Sequence, residues 1–362
     1  MNIGMMKSLD AAFGRLAASL IARPGMKAKP DPINTILIIR PGGIGDAVYL
    51  IPAINAVKAA YPDAVIDILA EKRNSAIFRL STHVRHVFHY DRLAELFQIL
   101  RISYDVVIDT EQWHRLSAVV ARMTRAPLLI GYGTNERARL FTHPMPYSQD
   151  DYEIESFFRL LEPLGIDPRE VTRPFLAVPS EATQRVDTLL GEIKGRAFVT
   201  IFPGASIPER QWGADKFGKV ADMLAVLGVM VVVVGSWEDK GQGEMIVAGK
   251  AGLNLAGRTS LSETAAVIQK SALLLSGDSG VLHIAVGLGV PTVSLFGPGR
   301  ARKWAPRGER HIVINKGLSC SPCTTFGTTP TCPISAQCLN DITADEVFNA
   351  VTVLFRRLAT IT

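Results

Sequence analysis

Short apolar runs rich in β-branched residues alternate along this chain with longer segments whose apolar residues recur at helical spacing. In the first half, the apolar runs lie at 35–40, 65–69, 84–89, 106–109 and 128–131. A second series begins at 197, with runs at 198–202, 229–234, 253–255, 272–275 and 292–295. Continuously apolar strands that alternate with helices are typical of parallel sheets covered by helices on both faces. The pattern therefore predicts an α/β fold with two doubly wound, Rossmann-like parallel sheets.

Four prolines mark the division between the two series, beginning near the end of a helix expected over 150–164. These are Pro163, Pro168, Pro174 and Pro179. We expect an N-terminal extension at 1–32, a first domain at 33–180, a second domain at 181–340 and a C-terminal segment at 341–362. The last segment is predicted to be helical over 343–358 and can return to the first domain. Because doubly wound sheets bind ligands at the carboxyl ends of their strands, we expect the two domains to face a central cleft.

The N-terminal extension is basic, with Asp10 as its one acid in the first 28 residues. Its apolar residues follow a helical period: Met5, Met6, Leu9, Phe13, Leu16, Leu20 and Ile21. Arg15 interrupts the continuous apolar region that a signal peptide requires. The segment predicts a basic amphipathic helix on a membrane surface, and the alternatives are a tail or a helix packed on the domain. Since the first strand begins only at Thr35, we expect the segment to be dispensable for folding.

The charge balance is mild: the 362 residues include 39 Lys and Arg against 34 Asp and Glu, a net charge of +5. The basic residues are scattered and no nucleic-acid-binding signature is present, which argues against a nucleic-acid partner. The charge suits an anionic substrate or an anionic membrane surface. The longest apolar run, at 223–235, is too short for a membrane-spanning helix, which needs about 20 residues.

A glycine-rich turn follows the first strand in the sequence IIRPGGIGDAVYLIP at 38–52. Val48 stands where a dinucleotide-binding fingerprint has its third glycine, and Asp46 would repel a pyrophosphate at the start of the helix. These residues disfavour a nicotinamide-dependent oxidoreductase. A carboxylate at the end of a strand can instead accept a proton from a hydroxyl group. The alternative is that Asp46 only stabilises the beginning of the helix.

The segment FPGASIPERQW at 202–212 follows the first strand of the second domain. Ser206 offers a hydroxyl group, and the guanidinium of Arg210 can bind two phosphate oxygens. The alternative for Arg210 is a surface ion pair with Glu209.

A second turn, in LLLSGDSGVLHIAVGLGVPTVSLFGP at 273–298, connects a strand to a short helix. Ser279 and Gly280 place backbone N–H groups at the start of this helix, which predicts an anion site. Asp278 can cap the helix or accept hydrogen bonds from sugar hydroxyls, and His283 lies on the same helix. Two anion-binding turns in one sheet favour a diphosphate ligand.

Several longer motifs resemble glycosyltransferase family 9, the heptosyltransferase family of lipopolysaccharide core assembly. They are PGGIGDAVYLIPAINAVKAAYPDAVIDIL, DVVIDTEQWHRLSAVVAR, FPGASIPERQWGADKFGKVADML, NLAGRTSLSETAAVI and LSGDSGVLHIAVGLGVPTVSLFGP. The resemblance extends from about residue 33 to residue 355. It implies a GT-B fold and an inverting, metal-independent transfer from a nucleotide sugar, typically ADP-heptose. The implied acceptor is a lipid-linked acidic saccharide at the cytoplasmic face of the membrane.

The resemblance also implies roles for single residues. Asp46 falls on the proposed catalytic base, and Arg210 stands where the family commonly has a lysine. The implied donor-binding residues are Ser206, Glu238, Thr259, Leu261, Asp278, Ser279, Gly280 and His283. The residue that binds the ribose is Glu238 or its neighbour Asp239. Weaker indications of acceptor binding fall on Gly43, Gly45, Asp109, His114, Arg115 and Arg137.

All four cysteines lie close together, at Cys320, Cys323, Cys332 and Cys338. Zinc sites often begin with C-x2-C, but the x5 spacing of the second pair is loose for such a site. A reducing cytosol disfavours disulfides. The cluster therefore leaves open a structural metal such as zinc, packed free thiols or redox chemistry. We expect no metal in catalysis and no cofactor beyond the ADP-sugar co-substrate.

The function predicted from these features is the transfer of a heptose-like sugar from an ADP-sugar to a lipopolysaccharide core acceptor. Two alternatives remain, and the first of them keeps the same fold. A sugar-nucleotide epimerase would turn over a nucleotide sugar without any lipid acceptor. A non-catalytic module would bind the sugar nucleotide or the lipid and show no turnover.

Overall fold

A computed structural model describes residues 10–167, 170–193, 195–249 and 252–359. The chain forms two compact units that divide between Val171 and Thr172. Each unit contains one six-stranded parallel sheet with helices packed against it. The predicted α/β class with two doubly wound sheets is thereby confirmed. In the part of the chain that the structure describes, no helix has both the length and the apolar composition needed to cross a bilayer.

The sheet of the first unit has the strand order β3-β2-β1-β4-β5-β6. The strands are β1 (Thr35–Arg40), β2 (Val65–Ala70), β3 (Val84–His89), β4 (Val106–Asp109), β5 (Leu128–Tyr132) and β6 (His143–Met145). The helices are α1 (Arg15–Leu20), α2 (Ile44–Ala60), α3 (Leu93–Arg101), α4 (Leu116–Met123) and α5 (Glu153–Arg159). A π-helical turn (Asp10–Gly14) precedes α1, and 3-10 turns occur at Ser75–Leu80, Glu136–Leu140 and Glu162–Leu164. The strand order reverses between β1 and β4, which is the position where such sheets bind ligands.

The second unit repeats this design with the order β12-β11-β10-β7-β8-β9. Its strands are β7 (Phe198–Phe202), β8 (Met230–Val233), β9 (Gly252–Asn254), β10 (Leu273–Gly277), β11 (Thr292–Phe296) and β12 (His311–Asn315). Its helices are α6 (Ser180–Leu190), α7 (Ala214–Val226), α8 (Lys240–Val247), α9 (Leu261–Lys270), α10 (Gly280–Gly287), α11 (Ala301–Trp304), α12 (Gln337–Asn340) and α13 (Ala344–Ala359). Short 3-10 turns occur at Gly191–Ile193, Pro208–Arg210 and Trp237–Asp239. Here the order reverses between β7 and β10.

The central strands are the ones that the apolar runs predicted, because their residues are buried on both faces of each sheet. Sequence reasoning missed the two edge strands β6 and β12. Strand β6 contains Pro144, which an edge strand tolerates because the outer side of the strand needs no N–H donor. Strand β12 is only partly buried along its length.

The N-terminal segment packs on the first unit, as one of the alternatives expected, and its dispensability for folding stays a prediction. Ala18 is fully buried in the core of that unit. The carboxylate of Asp10 accepts hydrogen bonds from the backbone N–H groups of Arg115 and Leu116, both at 2.7 Å. These contacts stabilise the N-terminus of α4. Met5, Met6 and Leu9 of the predicted helix lie outside the described residues.

The C-terminal helix α13 packs in the core of the second unit through Val347, Val351 and Leu354. The indole of Trp212 donates a hydrogen bond to the carbonyl of Ile342, just before this helix, at 3.0 Å. The helix therefore belongs to the second unit, where the sequence had left open a return to the first domain.

Candidate active site

Asp46 lies in the first turn of α2, directly after the glycine turn that follows β1. Its side chain is partly exposed, with 22% of its surface accessible. The carboxylate folds back over Gly43, since a Cβ atom built on Gly43 would approach Asp46 Oδ2 to 2.8 Å. Glycine at position 43 therefore permits the observed position of the carboxylate.

A buried guanidinium lies beside this carboxylate. Arg40 ends β1, is 1% exposed, and places Nη1 at 3.6 Å from Asp46 Oδ1. The same side chain donates hydrogen bonds to the carbonyls of Pro41 at 2.6 Å and Thr110 at 2.8 Å, and contacts Glu111 Oε2 at 3.4 Å. Burial would lower the pKa of Arg40, but the carboxylates of Asp46 and Glu111 raise it above its ordinary value. Arg40 is therefore a buried, permanently protonated side chain next to the carboxylate of Asp46.

The amide of Gln112 bridges two carboxylates. Its Nε2 donates to Asp46 Oδ1 at 3.2 Å and to Glu153 Oε1 at 2.7 Å. Glu153 is fully buried and also accepts a 3.4 Å hydrogen bond from the hydroxyl of Tyr147. Sequence reasoning missed Gln112 and Glu153, although Gln112 lies within a motif that carried the family resemblance.

Asp109 and Arg137, two of the expected acceptor residues, form a buried ion pair with each other, and acceptor binding by them stays a prediction. Both side chains are fully buried, and Arg137 Nη2 lies 2.5 Å from Asp109 Oδ2. Arg137 also donates to the carbonyl of Glu111, and Asp109 accepts from the hydroxyl of Ser117 at 2.9 Å. This ion pair holds together the segments that follow β4 and β5 and presents no surface to a ligand in this structure.

The other expected acceptor residues lie near Asp46 or beside the N-terminal segment. Gly43 precedes α2 and Gly45 lies in its first turn. His114 Nδ1 lies 3.4 Å from Asp10 Oδ2, and the guanidinium of Arg115 binds Glu136 at 2.9 Å. The binding of an acceptor by these four residues stays a prediction.

In the second unit, Arg210 pairs with Asp278, rather than with Glu209 as the alternative expectation had it. Arg210 Nη1 lies 3.3 Å from Asp278 Oδ2, and Nη2 lies 3.4 Å from Thr324 Oγ1. The Nε atom of Arg210 is buried and has no hydrogen-bond partner among the described residues. A buried donor without a partner is costly, and the guanidinium as a whole is 20% exposed, so its charge remains available to an anionic ligand.

The predicted anion turn has the expected local geometry. Ser279 caps α10, because its hydroxyl accepts a hydrogen bond from the backbone N–H of Leu282 at 3.2 Å, and Gly280 is the first residue of the helix. Asp278 is therefore not the cap. The N-terminus of α10 carries the positive end of the helix dipole beside the Arg210 guanidinium.

His283 is buried behind this turn. It is 3% exposed, and its ring centroid lies 5.9 Å from that of Trp304. Burial and the charge of Arg210 lower the pKa of His283 to about 3, so the imidazole is neutral. Its direct contact with a donor stays a prediction.

Of the two candidate ribose-binding acids, Asp239 is committed to the fold. Its carboxylate accepts hydrogen bonds from the backbone and hydroxyl of Ser236, both at 2.8 Å. A Cβ atom on Gly235 would come within 2.8 Å of Asp239 Oδ2, so the acid packs directly against the backbone after β8. Glu238 is exposed, which leaves it as the better candidate for ligand binding.

An exposed indole beside Glu238 was missed by sequence reasoning. Trp237 is 69% exposed, and its backbone lies against Gly257, where a Cβ atom would approach Trp237 Cα to 3.1 Å. Gly257 begins the loop that carries Thr259 and leads into α9 at Leu261. The sequence shows a tryptophan in the turn that follows β8, but it does not show that the indole is exposed. This indole and the predicted nucleotide loop therefore form one surface.

Ser206 is exposed in the loop after β7 that leads to Arg210. Its role as the hydroxyl that contacts phosphate stays a prediction.

The four cysteines are free thiols. Burial raises the pKa of Cys323 and Cys338, and the nearby thiols add to the shift. Within the described ranges, no group of three or more His, Cys, Asp or Glu side chains has a geometry that could hold a metal ion.

Comparison with known proteins identifies the class to which these two sites belong. A model of glycosyltransferase family 9 (heptosyltransferase) matches residues 93–331. The chain therefore belongs to glycosyltransferase family 9, and the predicted family is confirmed.

Two curated relatives illustrate the similarity. The chain is 27% identical over 298 residues to lipopolysaccharide heptosyltransferase 3 of Escherichia coli, covering 75% of this chain and 86% of the relative. It is 26% identical over 310 residues to lipooligosaccharide heptosyltransferase 2 of Haemophilus influenzae, covering 77% and 88%.

Solved structures confirm the GT-B type of fold. The E. coli ADP-heptose lipopolysaccharide heptosyltransferase II matches with a TM-score of 0.74 at 22% identity, covering 90% of this chain and 99% of that one. A glycosyltransferase family 9 protein from Veillonella parvula matches with a TM-score of 0.76 at 19% identity, covering 92% and 100%. An iron-containing dodecameric glycosyltransferase from enterotoxigenic E. coli matches with a TM-score of 0.61 at 14% identity, covering 91% and 78%.

Proposed function

We propose that this protein transfers a heptose-like sugar from an ADP-sugar to a lipid-linked acceptor of the lipopolysaccharide core. The observation that carries the proposal is the family match, which spans both units, together with relatives that are named lipopolysaccharide heptosyltransferases. We place the reaction at the cytoplasmic face of the membrane, with no nucleic-acid partner and no metal in catalysis.

The partly exposed carboxylate of Asp46 acts as the general base. It takes the proton of an acceptor hydroxyl while the acceptor oxygen forms a bond to the anomeric carbon of the donor. The bond between this carbon and the diphosphate oxygen breaks on the opposite side, so the configuration inverts and ADP leaves with the electron pair. Arg40 and Gln112 hold the carboxylate in place during this step.

The second unit holds the donor. The partly exposed guanidinium of Arg210 and the N-terminus of α10 at Ser279 are proposed to bind the diphosphate through their complementary charge. Positive groups fixed before the reaction stabilise the charge that develops on the departing diphosphate. Glu238, with the indole of Trp237 beside it, is proposed to bind the nucleoside.

The direct test incubates the full-length protein with ADP-heptose and a delipidated, heptose-deficient lipopolysaccharide core. The proposal expects release of ADP together with an acceptor whose mass has increased by one heptose, and with inverted anomeric configuration by NMR. Conversion of the nucleotide sugar without acceptor would favour the epimerase. Binding without turnover in a screen of core acceptors would favour the non-catalytic module.

A thermal-shift series defines the donor class separately. A ligand that binds only the native state raises the melting temperature. We expect stabilisation by ADP and ADP-sugars and none by UDP-sugars at the same concentration.

A further inference from the structure

The helical segment before the first sheet presents its largest apolar side chains to solvent. Phe13, Leu16 and Leu20 are 59%, 57% and 76% exposed. Their spacing of three and then four residues puts them on one stripe of the segment. Single exposed apolar residues are ordinary, but a contiguous stripe marks an interaction surface.

The opposite face of the segment is fixed to the first unit through small residues. Ala18 is fully buried, and a Cβ atom on Gly14 would approach the Cβ of Arg115 to 3.2 Å. The carbonyls of Ser19 and Ala22 accept hydrogen bonds from Arg139 at 2.8 Å and Arg122 at 3.0 Å. Because the small residues face the protein, the outward direction of the apolar stripe is set by the fold.

A second pair of exposed apolar side chains lies on a helix that packs against the same face of the first sheet. Leu93 and Phe97 of α3 are 69% and 60% exposed and lie one helical turn apart. Ile99 of α3 and Ala18 belong to one core cluster, which includes Leu37 of β1. Both helices therefore cover the same face of the first sheet, and both direct apolar side chains away from it.

Basic residues accompany these apolar side chains. Arg23 and Lys27 are exposed just after α1, and Arg101 and Arg125 are exposed at the ends of α3 and α4. Apolar side chains beside exposed arginine and lysine suit the headgroup region of an anionic bilayer, where each basic residue contributes about 1 kcal/mol at most.

The segment also contacts the loop that carries part of the candidate active site. Asp10 binds the backbone of Arg115 and Leu116, which end the loop that begins after β4. The same loop contains Gln112, which donates its hydrogen bond to Asp46. The apolar stripe therefore begins close to the residues proposed to bind an acceptor.

We infer that Phe13, Leu16 and Leu20, together with Leu93 and Phe97, form a docking surface for an anionic lipid bilayer. The inference rests on the proposed function in one respect, because a lipid-linked acceptor has to be met at a membrane. Docking through this face would bring the loop of Gln112 to the lipid surface.

The test measures co-sedimentation of the full-length protein with vesicles of phosphatidylethanolamine and phosphatidylglycerol. The variant carries Phe13→Ser, Leu16→Ser and Leu20→Ser. Since each of these side chains loses its burial in the bilayer, we expect partitioning to fall at least about a hundredfold. The matched control carries Val226→Ser, Leu227→Ser and Met245→Ser on the second unit, where the side chains are 87%, 56% and 60% exposed, and should partition as the wild type does.

Other outcomes separate the inference from the proposed function. Unchanged vesicle binding by the first variant would overturn the docking surface. The same conclusion would follow if the wild type did not bind vesicles but formed an oligomer that the variant does not form, since the apolar stripe would then be a protein interface. Transfer to a delipidated acceptor should be equal in both proteins. If the wild type fails in that transfer, the proposed function is wrong, and the vesicle result still decides the docking surface.

A milder change guards against misfolding of the triple variant. Phe13→Trp keeps an apolar ring at the exposed position and introduces a fluorescent group. Its difference spectrum against the wild type should shift to the blue when vesicles are added. The absence of any shift, with the protein folded by circular dichroism, would contradict the inference.

Discussion

At the residue scale, the candidate site combines local features that sequence shows with long-range contacts that it does not. The position of Asp46 follows from the neighbouring strand, glycine turn and helix, so it was predicted. Gln112 contacts Asp46 and Glu153 across 66 and 41 residues of chain. No local pattern reports such pairs, because they depend on how α2, the loop after β4 and α5 meet in the folded unit.

The amide bridge predicts a positioning role for Gln112. Gln112→Leu removes the donor that lies between the carboxylates of Asp46 and Glu153. We expect the rate constant for transfer to fall by roughly tenfold to a hundredfold and its pH profile to shift, because the base loses its orientation. Gln112→Met is a second apolar variant and should lower the rate constant to a similar extent. Gln112→Glu should lower it further than either, since it adds a third carboxylate. An unaltered rate and pH profile in Gln112→Leu would contradict the role.

Arg210 allows a test of donor binding. Arg210→Ala removes charge-assisted hydrogen bonds worth about 1.5–3 kcal/mol each, so ADP affinity should fall at least tenfold by calorimetry. Arg210→Lys should recover part of the affinity, since it keeps the charge and loses the planar fork.

The ion pair with Asp278 requires one further control, because Arg210→Ala also leaves that carboxylate without its guanidinium partner. The double variant Arg210→Ala with Asp278→Asn should bind ADP more tightly than Arg210→Ala alone. Equal ADP affinity in the wild type and Arg210→Ala would remove Arg210 from the donor site.

At the scale of elements, the apolar runs predicted the central strands closely, since buried strands carry their own signal. The N-terminal segment was predicted to be an amphipathic helix with its apolar residues at a membrane surface, and a helix packed on the domain was one alternative. The structure packs the small residues Gly14 and Ala18 of this segment against the first unit. Close approach of helices favours small residues, and hydrophobicity alone does not report it.

The carboxylate of Asp10 predicts a measurable contribution to stability. Burial would raise the pKa of Asp10, but hydrogen bonds from His114 and from the backbone of Leu116 and Arg115 lower it below its ordinary value. Asp10→Ala should therefore lower the free energy of unfolding of the first unit by about 1 kcal/mol, as loss of a helix cap does. Because the folded pKa is depressed, this contribution is present above the ordinary pKa of the group and is lost as pH falls through the lower value.

Urea unfolding followed by circular dichroism gives the comparison, with exposed Ser19→Ala as the matched control. Equal unfolding midpoints for Asp10→Ala and Ser19→Ala would show that the N-terminal contact contributes nothing.

At the scale of the whole molecule, the two sheets share one architecture, but their buried titratable groups differ. In the second unit, burial and positive neighbours lower the pKa of His283 to about 3 and that of His311 to about 4. The sequence placed His283 near the anion turn but gave no sign of its burial. Burial depends on the packing of α10 and Trp304 around it.

These histidines predict a loss of stability in mild acid. The unfolded chain takes up protons near the ordinary histidine pKa of about 6.5, while the folded chain does not do so until much lower pH. The stabilisation is therefore fully present above about pH 6.5 and declines as pH falls toward the lower values. The urea midpoint should fall between about pH 7 and about pH 5, and less steeply in His283→Gln. A midpoint that rises over this interval, or a slope unchanged in the variant, would contradict the neutral buried imidazole.

The transfer reaction of Asp46→Asn tests most directly whether this carboxylate is the base of a glycosyl transfer. The measurement compares wild type and variant for ADP release and heptosylated product from ADP-heptose and delipidated, heptose-deficient core, with ADP affinity measured in parallel. Because asparagine cannot take the acceptor proton, we expect product formation to be abolished while ADP binds as in the wild type. Product formed by Asp46→Asn at the wild-type rate would show that the base is another group.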